Sequence, residues 1–221
     1  MLPPCTVAGI PRARGARVLG MLVVAARGMR AVLGRGMRAA QVPGMLAAIA
    51  LAGCGGQPRN AAPSAGAVAA ALQGSPAPLA ALHRQASSLL GGGPAAFRAR
   101  LRALHGYPVV VNEWASWCGP CRSEFPAYQR AAVSYGRRVA FLGLDTQDHN
   151  QAAASFLSEL PVTYPSYVDP RQSIASTLNL AAYYPQTLYF DQSGRMVYDK
   201  AGAYVNAGAL DQDIRRYLLQ R

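Results

Sequence analysis

A run of β-branched residues, Val109-Val110-Val111, leads within three positions into Trp114-Ala-Ser-Trp117-Cys118-Gly119-Pro120-Cys121, and a helical pattern then continues to about Tyr135. A C-x-x-C at a strand-to-helix junction constrains both the geometry and the chemistry of a chain. Two cysteines three positions apart on the first turn of a helix share a face and can close a disulfide. The unpaired N–H groups and the macrodipole of that helix end stabilise a thiolate on the first cysteine, lowering its pKa. Cys118 is therefore the expected exposed nucleophile and Cys121 the more buried resolving thiol, with Gly119 and Pro120 shaping the turn between them. A zinc site would need a second C-x-x-C or an H-x₃₋₅-H pair, and His83, His105 and His149 are scattered singly. No metal and no organic cofactor is expected.

The segments around this motif alternate between the two periodicities. An amphipathic helix is expected from Leu79 to Leu90, ended by Gly91-Gly92-Gly93, and a second over Ala95–Leu104 opened by Pro94. Phe97, Leu101 and Leu104 share one face of the second helix. Arg98, Arg100 and Arg102 cover the others, as a solvated face or as a weak contact for anionic lipid. Val139–Leu144 and Thr163–Val168 read as strands separated by a helix over Ala152–Leu160, and Gln172–Leu178 reads as a further helix. Thr187–Phe190 and Met196–Asp199 flank Asp191-Gln-Ser-Gly194 as an antiparallel hairpin, and Leu210–Leu219 closes with a helix. The pattern predicts an α/β sandwich with a mixed sheet, and about 140 residues suffice for one core.

The N-terminal part has a different character. The formal net charge of +12 suggests a polyanion binder at first sight. Residues 1–53, however, hold seven arginines, no lysine and no acid, and 54–221 carry a net of only +5. No window reaches the eighteen or so consecutive apolar residues of a membrane-spanning helix. Val42–Cys54, VPGMLAAIALAGC, instead combines upstream arginines, a short apolar run and small residues, the features of a secretory signal. Leu51-Ala52-Gly53-Cys54 resembles the lipobox of bacterial lipoproteins, which implies a signal over 1–53 and a lipid on Cys54. Met29 and Met37 each offer a more ordinary start, which would leave Cys5 outside the chain. Residues 54–77, rich in Gly, Pro, Ser and Ala, read as a flexible tether with at most a transient helical turn over Val68–Leu72. Residues 78–221 form the expected domain. Of four cysteines, Cys118 and Cys121 then remain as a single close pair rather than a disulfide framework.

Val109–Pro126, VVVNEWASWCGPCRSEFP, resembles the active-site segment of thioredoxin-like proteins, and most closely the TlpA/ResA group of membrane-tethered thiol–disulfide oxidoreductases. The resemblance runs along roughly residues 95–221. It implies a thioredoxin-like three-layer α/β sandwich around a central mixed β-sheet. It implies Cys118 as nucleophile, Cys121 as resolving cysteine and Trp117 packed beside the disulfide. Glu124 matches a glutamate three residues beyond the second cysteine, placed to handle the proton of the resolving thiol. An acid early in a helix is also favourable in its own right. Pro126 matches a helix-kinking proline. Pro185 matches a cis-proline loop in which the backbone of Tyr184 pairs with an extended substrate segment, and the Tyr184 ring either tunes substrate choice or simply packs.

Two positions depart from the family pattern. Asn112 stands where thioredoxins carry a buried aspartate, which shifts the proton-handling role toward Glu124. Glu113 stands where an apolar residue is usual, leaving three readings open: a buried acid with a raised pKa, a partner of an arginine, or an exposed edge charge. The family's N-terminal β-hairpin is absent, with helices over 79–104 in its place. The function implied is thiol–disulfide exchange with proteins on the extracytoplasmic face of a bacterial membrane, reducing and of the cytochrome c maturation type. Its implied partners are substrate proteins bearing thiols or disulfides and a membrane redox protein that recycles the pair. An oxidising, disulfide-forming protein and a copper-handling thiol lipoprotein are the alternatives. Nucleic-acid binding is not expected.

Overall fold

The computed structural model describes residues 63–220. The expected signal over 1–53 and the expected lipid site at Cys54 lie outside the described residues. The chain runs α1 (Ala65–Leu72), α2 (Ala77–His83), β1 (Leu89–Leu90), α3 (Gly93–Ala103), β2 (Val109–Trp114), α4 (Gly119–Tyr135) and β3 (Ala140–Thr146). It continues through α5 (Asn150–Glu159), β4 (Ser166–Asp169), α6 (Ser173–Thr177), β5 (Gln186–Phe190), β6 (Met196–Ala201) and α7 (Ala207–Ile214), the last extended by a π-helical turn over Arg215–Leu219. The strands form one six-stranded sheet in the order β1-β4-β3-β2-β5-β6. β1, β4, β3 and β2 run parallel to one another; β5 pairs antiparallel with the far side of β2, and β6 pairs antiparallel with β5.

β2 lies at the centre of the sheet, and all six of its residues are buried. Strands covered on both faces read as continuous apolar runs, which is why Val109–Val111 stood out in the sequence. Alternation then sorts its side chains between two layers. Val110 and Trp114 pack with Phe125 and Tyr128 of α4, Phe156 of α5 and Leu210 and Ile214 of α7. Val109 and Val111 pack on the other face with Leu79 and Leu82 of α2, Phe97 of α3 and Ile174 of α6. The result is the three-layer sandwich with a mixed sheet that the sequence pattern predicts.

Three segments differ from the sequence reading. The helix expected from Leu79 to Leu90 stops at His83. Ser87 adopts φ 53°, donates its N–H to Tyr164 O at 3.1 Å, and exchanges side-chain hydrogen bonds with the backbone of Val162. These contacts pull the chain out of helix, and Leu89–Leu90 becomes a short strand parallel to β4. The expected tether over 54–77 is helical from Ala65 to Leu72, with Ser64 Oγ accepting the Ala67 N–H as N-cap. Only Val68 and Leu72 of α1 are even half-buried. The helix therefore rests on alanine propensity and its cap, not on a stripe that periodicity would reveal. At the C-terminus the expected helix begins three residues earlier, at Ala207, behind the Asn206 cap.

Gly143 of β3 explains how closely the layers approach above the sheet. The Trp114 indole N–H donates to Ser166 Oγ at 3.2 Å across this glycine. A Cβ at position 143 would lie 2.0 Å from Ser166 Oγ and 2.9 Å from Trp114 Nε1. Gly143→Ala should therefore destabilise the domain by about 1–3 kcal/mol through overpacking. Urea denaturation should show a lower midpoint with an unchanged slope.

Candidate active site

Each element at the end of β2 is held by the loop that follows β3. Past Trp114 the chain turns, and Ser116 donates both its backbone N–H and its hydroxyl to the carboxylate of Asp148. The same carboxylate accepts the His149 N–H at 2.7 Å. This clamp sets the position from which α4 starts. Cys118 is the N-cap of α4, in extended conformation, and its Sγ accepts the Cys121 N–H at 3.1 Å. Pro120 costs nothing here because first-turn N–H groups have no helical acceptor. Cys118 and Cys121 are joined as a disulfide, their Cα atoms 5.3 Å apart. The expected difference in access is present but small: Cys118 retains 4% of its exposure and Cys121 none.

Trp117 is more than half exposed and donates its indole N–H to Gln147 O at 3.0 Å. Its ring meets that of Tyr184 edge to face, with centroids 5.4 Å apart. The Tyr184 hydroxyl accepts from Gln172 Nε2 at 2.7 Å and donates to Gln147 Oε1 at 3.2 Å. The Tyr184–Pro185 peptide is cis, as the resemblance implies. Trp117, Cys118, Tyr184 and Pro185 are thus gathered by three loops, after β2, after β3 and before β5. Gln147 and Gln172, which complete this rim, escaped the sequence reading. Both are ordinary polar loop residues in sequence, and both hold left-handed backbone conformations, φ 54° and 56°, that no motif announces.

Glu124 lies one turn beyond Cys121 on α4 and is 1% exposed. Its Oε2 accepts the Tyr204 N–H at 2.9 Å, and Oε1 has no hydrogen-bond partner. Burial pushes this carboxyl up to about 7, against the Tyr204 N–H and the Lys200 cation, which favour the charged form. Asn112 is buried between Val110 and Trp114 on β2, which by alternation places it on the α4 side of the sheet. Asp145 of β3 pairs with Trp114 in register and is pushed up to about 8 by burial and by Asp148.

The structure also decides between the readings of Glu113. It is a buried acid, 1% exposed, accepting from Gln186 Nε2 at 3.0 Å. Burial raises its pKa to about 7, with Asp169 and Asp199 adding to the rise. Gln186 is its cross-strand neighbour on β5 and also donates to Ala181 O at 2.6 Å, so Glu113 supports the loop that carries the cis bond.

Residues 92–199, from the start of α3 to β6, match the model of the AhpC/TSA family. The disulfide-bearing domain is thus thioredoxin-like in fold and resembles the AhpC/TSA family over this span. Similar curated proteins include the thiol:disulfide interchange protein DsbE homolog of Paracoccus denitrificans (strain Pd 1222). It is 37% identical over 97 residues, 43% of this chain and 51% of that protein. The thioredoxin-like protein YneN of Bacillus subtilis (strain 168) is 27% identical over 100 residues, 44% of this chain and 58% of that protein. The thiol-disulfide oxidoreductase ResA of Bacillus thuringiensis (strain Al Hakam) is 28% identical over 98 residues, 44% of this chain and 56% of that protein. The chain spans about half the length of the curated relatives it matches.

The domain thus carries buried acids whose pKa values are raised to near neutrality, and this fixes the sign of its pH dependence. Glu113 and Glu124 move from an ordinary 4.5 to about 7 on folding, and Asp145 from 3.8 to about 8. Between these limits the folded state holds protons that the unfolded chain has released, so stability falls as pH rises. Below about pH 4 the penalty is absent, and above about pH 8 it is complete. Urea midpoints should therefore decline from pH 5 to pH 8. Glu124→Gln should make that decline shallower, as it removes one of the three titrations.

Proposed function

We propose that this chain is a protein disulfide oxidoreductase working on the extracytoplasmic face of a bacterial membrane, in the reducing direction. The observation that carries the reading is the Cys118–Cys121 disulfide at the first turn of α4, with residual access at Cys118 alone. In the reduced form the Cys118 thiolate attacks a substrate disulfide. One substrate sulfur leaves as a thiolate and a mixed disulfide forms on Cys118. Cys121 then gives up its proton to Glu124, attacks the Cys118 sulfur and releases the second substrate thiolate. Two electrons pass from the domain to the substrate, and the domain is left as its disulfide. Helix-terminus N–H groups such as that of Cys121 stabilise the attacking thiolate. Glu124, with a pKa near 7, exchanges protons readily at neutral pH.

The cis-proline loop supplies the docking strip. The backbone of Tyr184 pairs with an extended segment of substrate beside Cys118, and the exposed faces of Trp117 and Tyr183 flank it. Reduction of an apocytochrome c disulfide to thiols before haem attachment is the function of choice, supported by the similarity to the DsbE homolog and ResA. A membrane redox partner recycles the pair. Leu51-Ala52-Gly53-Cys54 supports cleavage after residue 53 and lipidation of Cys54 as the means of retention. Among the described residues no helix is long and apolar enough to cross a membrane.

Cys121→Ser should accumulate a mixed disulfide with a disulfide-bearing substrate on Cys118, whereas Cys118→Ser should accumulate none and lose disulfide reductase activity. Redox equilibration with glutathione should give the pair a potential near −270 mV, the range of thioredoxin. A value near −120 mV would identify an oxidant instead. Failure of Cys121→Ser to trap any partner would remove the exchange mechanism itself.

A further inference from the structure

The chain contains 21 arginines and a single lysine, Lys200. Lys200 lies near the end of β6, and its ammonium folds back over the turn that follows. Nζ donates to Gly202 O at 2.6 Å, to Ala201 O at 3.3 Å and to Ala203 O at 3.4 Å. It also lies 4.5 Å from the centroid of the Tyr204 ring. A tetrahedral ammonium has three donors that can meet three converging carbonyls, whereas a guanidinium presents its donors in one rigid plane. The position that departs from the chain's preference for arginine is the one whose geometry an arginine fits poorly.

The turn so held is fastened to both halves of the site. Gly202, at φ +85°, donates its N–H to Pro185 O at 2.8 Å, on the cis-proline loop. Two residues later Tyr204 donates its N–H to Glu124 Oε2. One short segment thus ties the substrate loop to the buried carboxylate, with the ammonium gathering its carbonyls. Among the described residues, Lys200 is the cation that acts on Glu124. Tyr128 and Cys121 share α4 with it, and Tyr164, Tyr189 and Tyr204 approach from other elements. Tyr128, Tyr164, Tyr189 and Tyr204 are all shifted upward and stay neutral at physiological pH. Asp213 of α7 is engaged by the Tyr204 hydroxyl at 2.7 Å.

We propose that Lys200 is a positioning residue for disulfide exchange: it fixes the Ala201–Tyr204 turn, aligning the Pro185 loop with Glu124, and sets its positive charge at the turn whose Tyr204 N–H holds the Glu124 carboxylate. The assignment rests on the proton-handling role of Glu124 put forward above. The two functions of Lys200 separate experimentally. Charge acts on Glu124, and the three-carbonyl geometry acts on the loop.

The test follows the Glu124 carboxyl carbon by NMR against pH in the reduced full-length chain, beside steady-state reduction of oxidised glutathione. Lys200→Met should move the Glu124 titration to higher pH, move the pH optimum of kcat with it, and raise KM several-fold. Lys200→Arg should leave the titration near that of the unsubstituted chain, because the charge is kept, yet raise KM as Lys200→Met does. An unmoved titration in Lys200→Met would overturn the electrostatic role. A normal KM in Lys200→Arg would overturn the positioning role. Should Lys200→Met fail to fold, Lys200→Arg still decides the positioning role, and salt dependence of the Glu124 titration decides the electrostatic one. A chain that reduces no disulfide at all would defeat the enzymatic reading and leave the titration as an independent result.

Discussion

The hydrogen bond from the Cys121 N–H to Cys118 Sγ requires that Cys118 stop being strand-like and start being a helix cap at one residue, and much of the domain serves that requirement. β2 must arrive buried and rigid, which its position in mid-sheet and its apolar run provide. The turn after Trp114 must be aimed, which Ser116 and Asp148 do from the adjacent C-terminal ends of a parallel strand pair. The helix must then leave in one direction, and α4 does so with Phe125 and Tyr128 seated against Trp114 and its neighbours. A helix N-terminus favours negative charge by roughly 0.3–1 kcal/mol when exposed and more when partly buried. The helix end therefore favours a thiolate at Cys118, the cysteine of the pair that keeps residual exposure.

Around this helix end the domain accepts a thermodynamic burden. Glu113, Glu124 and Asp145 are each buried to 1% exposure, and each is shifted toward the neutral form chiefly by burial. Every unit of such a shift corresponds to about 1.4 kcal/mol of stability forgone once the group ionises. They lie on the two faces of the sheet. Glu124 and Asp145 stand on the side of the disulfide, and Glu113 stands beneath the cis-proline loop through Gln186. A purely structural core would favour apolar residues at these sites. Glu124, one turn beyond Cys121 on α4, suits a reaction that moves protons at neutral pH.

What the sequence revealed and what it concealed divide along a physical line. The Trp117–Cys121 motif, the β2 and β3 runs and the hairpin at Asp191–Gly194 are local patterns, and local patterns survive in sequence. Glu124 was singled out by the resemblance, with its spacing from Cys121 in support, and Pro185 by the resemblance alone. Gln147, Gln172, Asp148 and Tyr204 act from loops brought together only by folding, so their residue types carry no signal at their own positions. The short strand at Leu89–Leu90 was hidden in an apparently helical stripe, because its pairing with β4 outweighs local periodicity. α1 was hidden for the opposite reason: it buries too little to have a stripe at all.

The central claim is that the two thiols are unequal, with Cys118 the accessible thiolate and Cys121 its shielded partner. Timed alkylation of the reduced full-length chain with iodoacetamide across a pH series, read by peptide mass mapping, tests it directly. The account predicts modification at Cys118 with a midpoint well below the 8.5 or so of a free thiol, while Cys121 stays unmodified. Modification of Cys121 first, or a Cys118 midpoint at or above that of a free thiol, would contradict it.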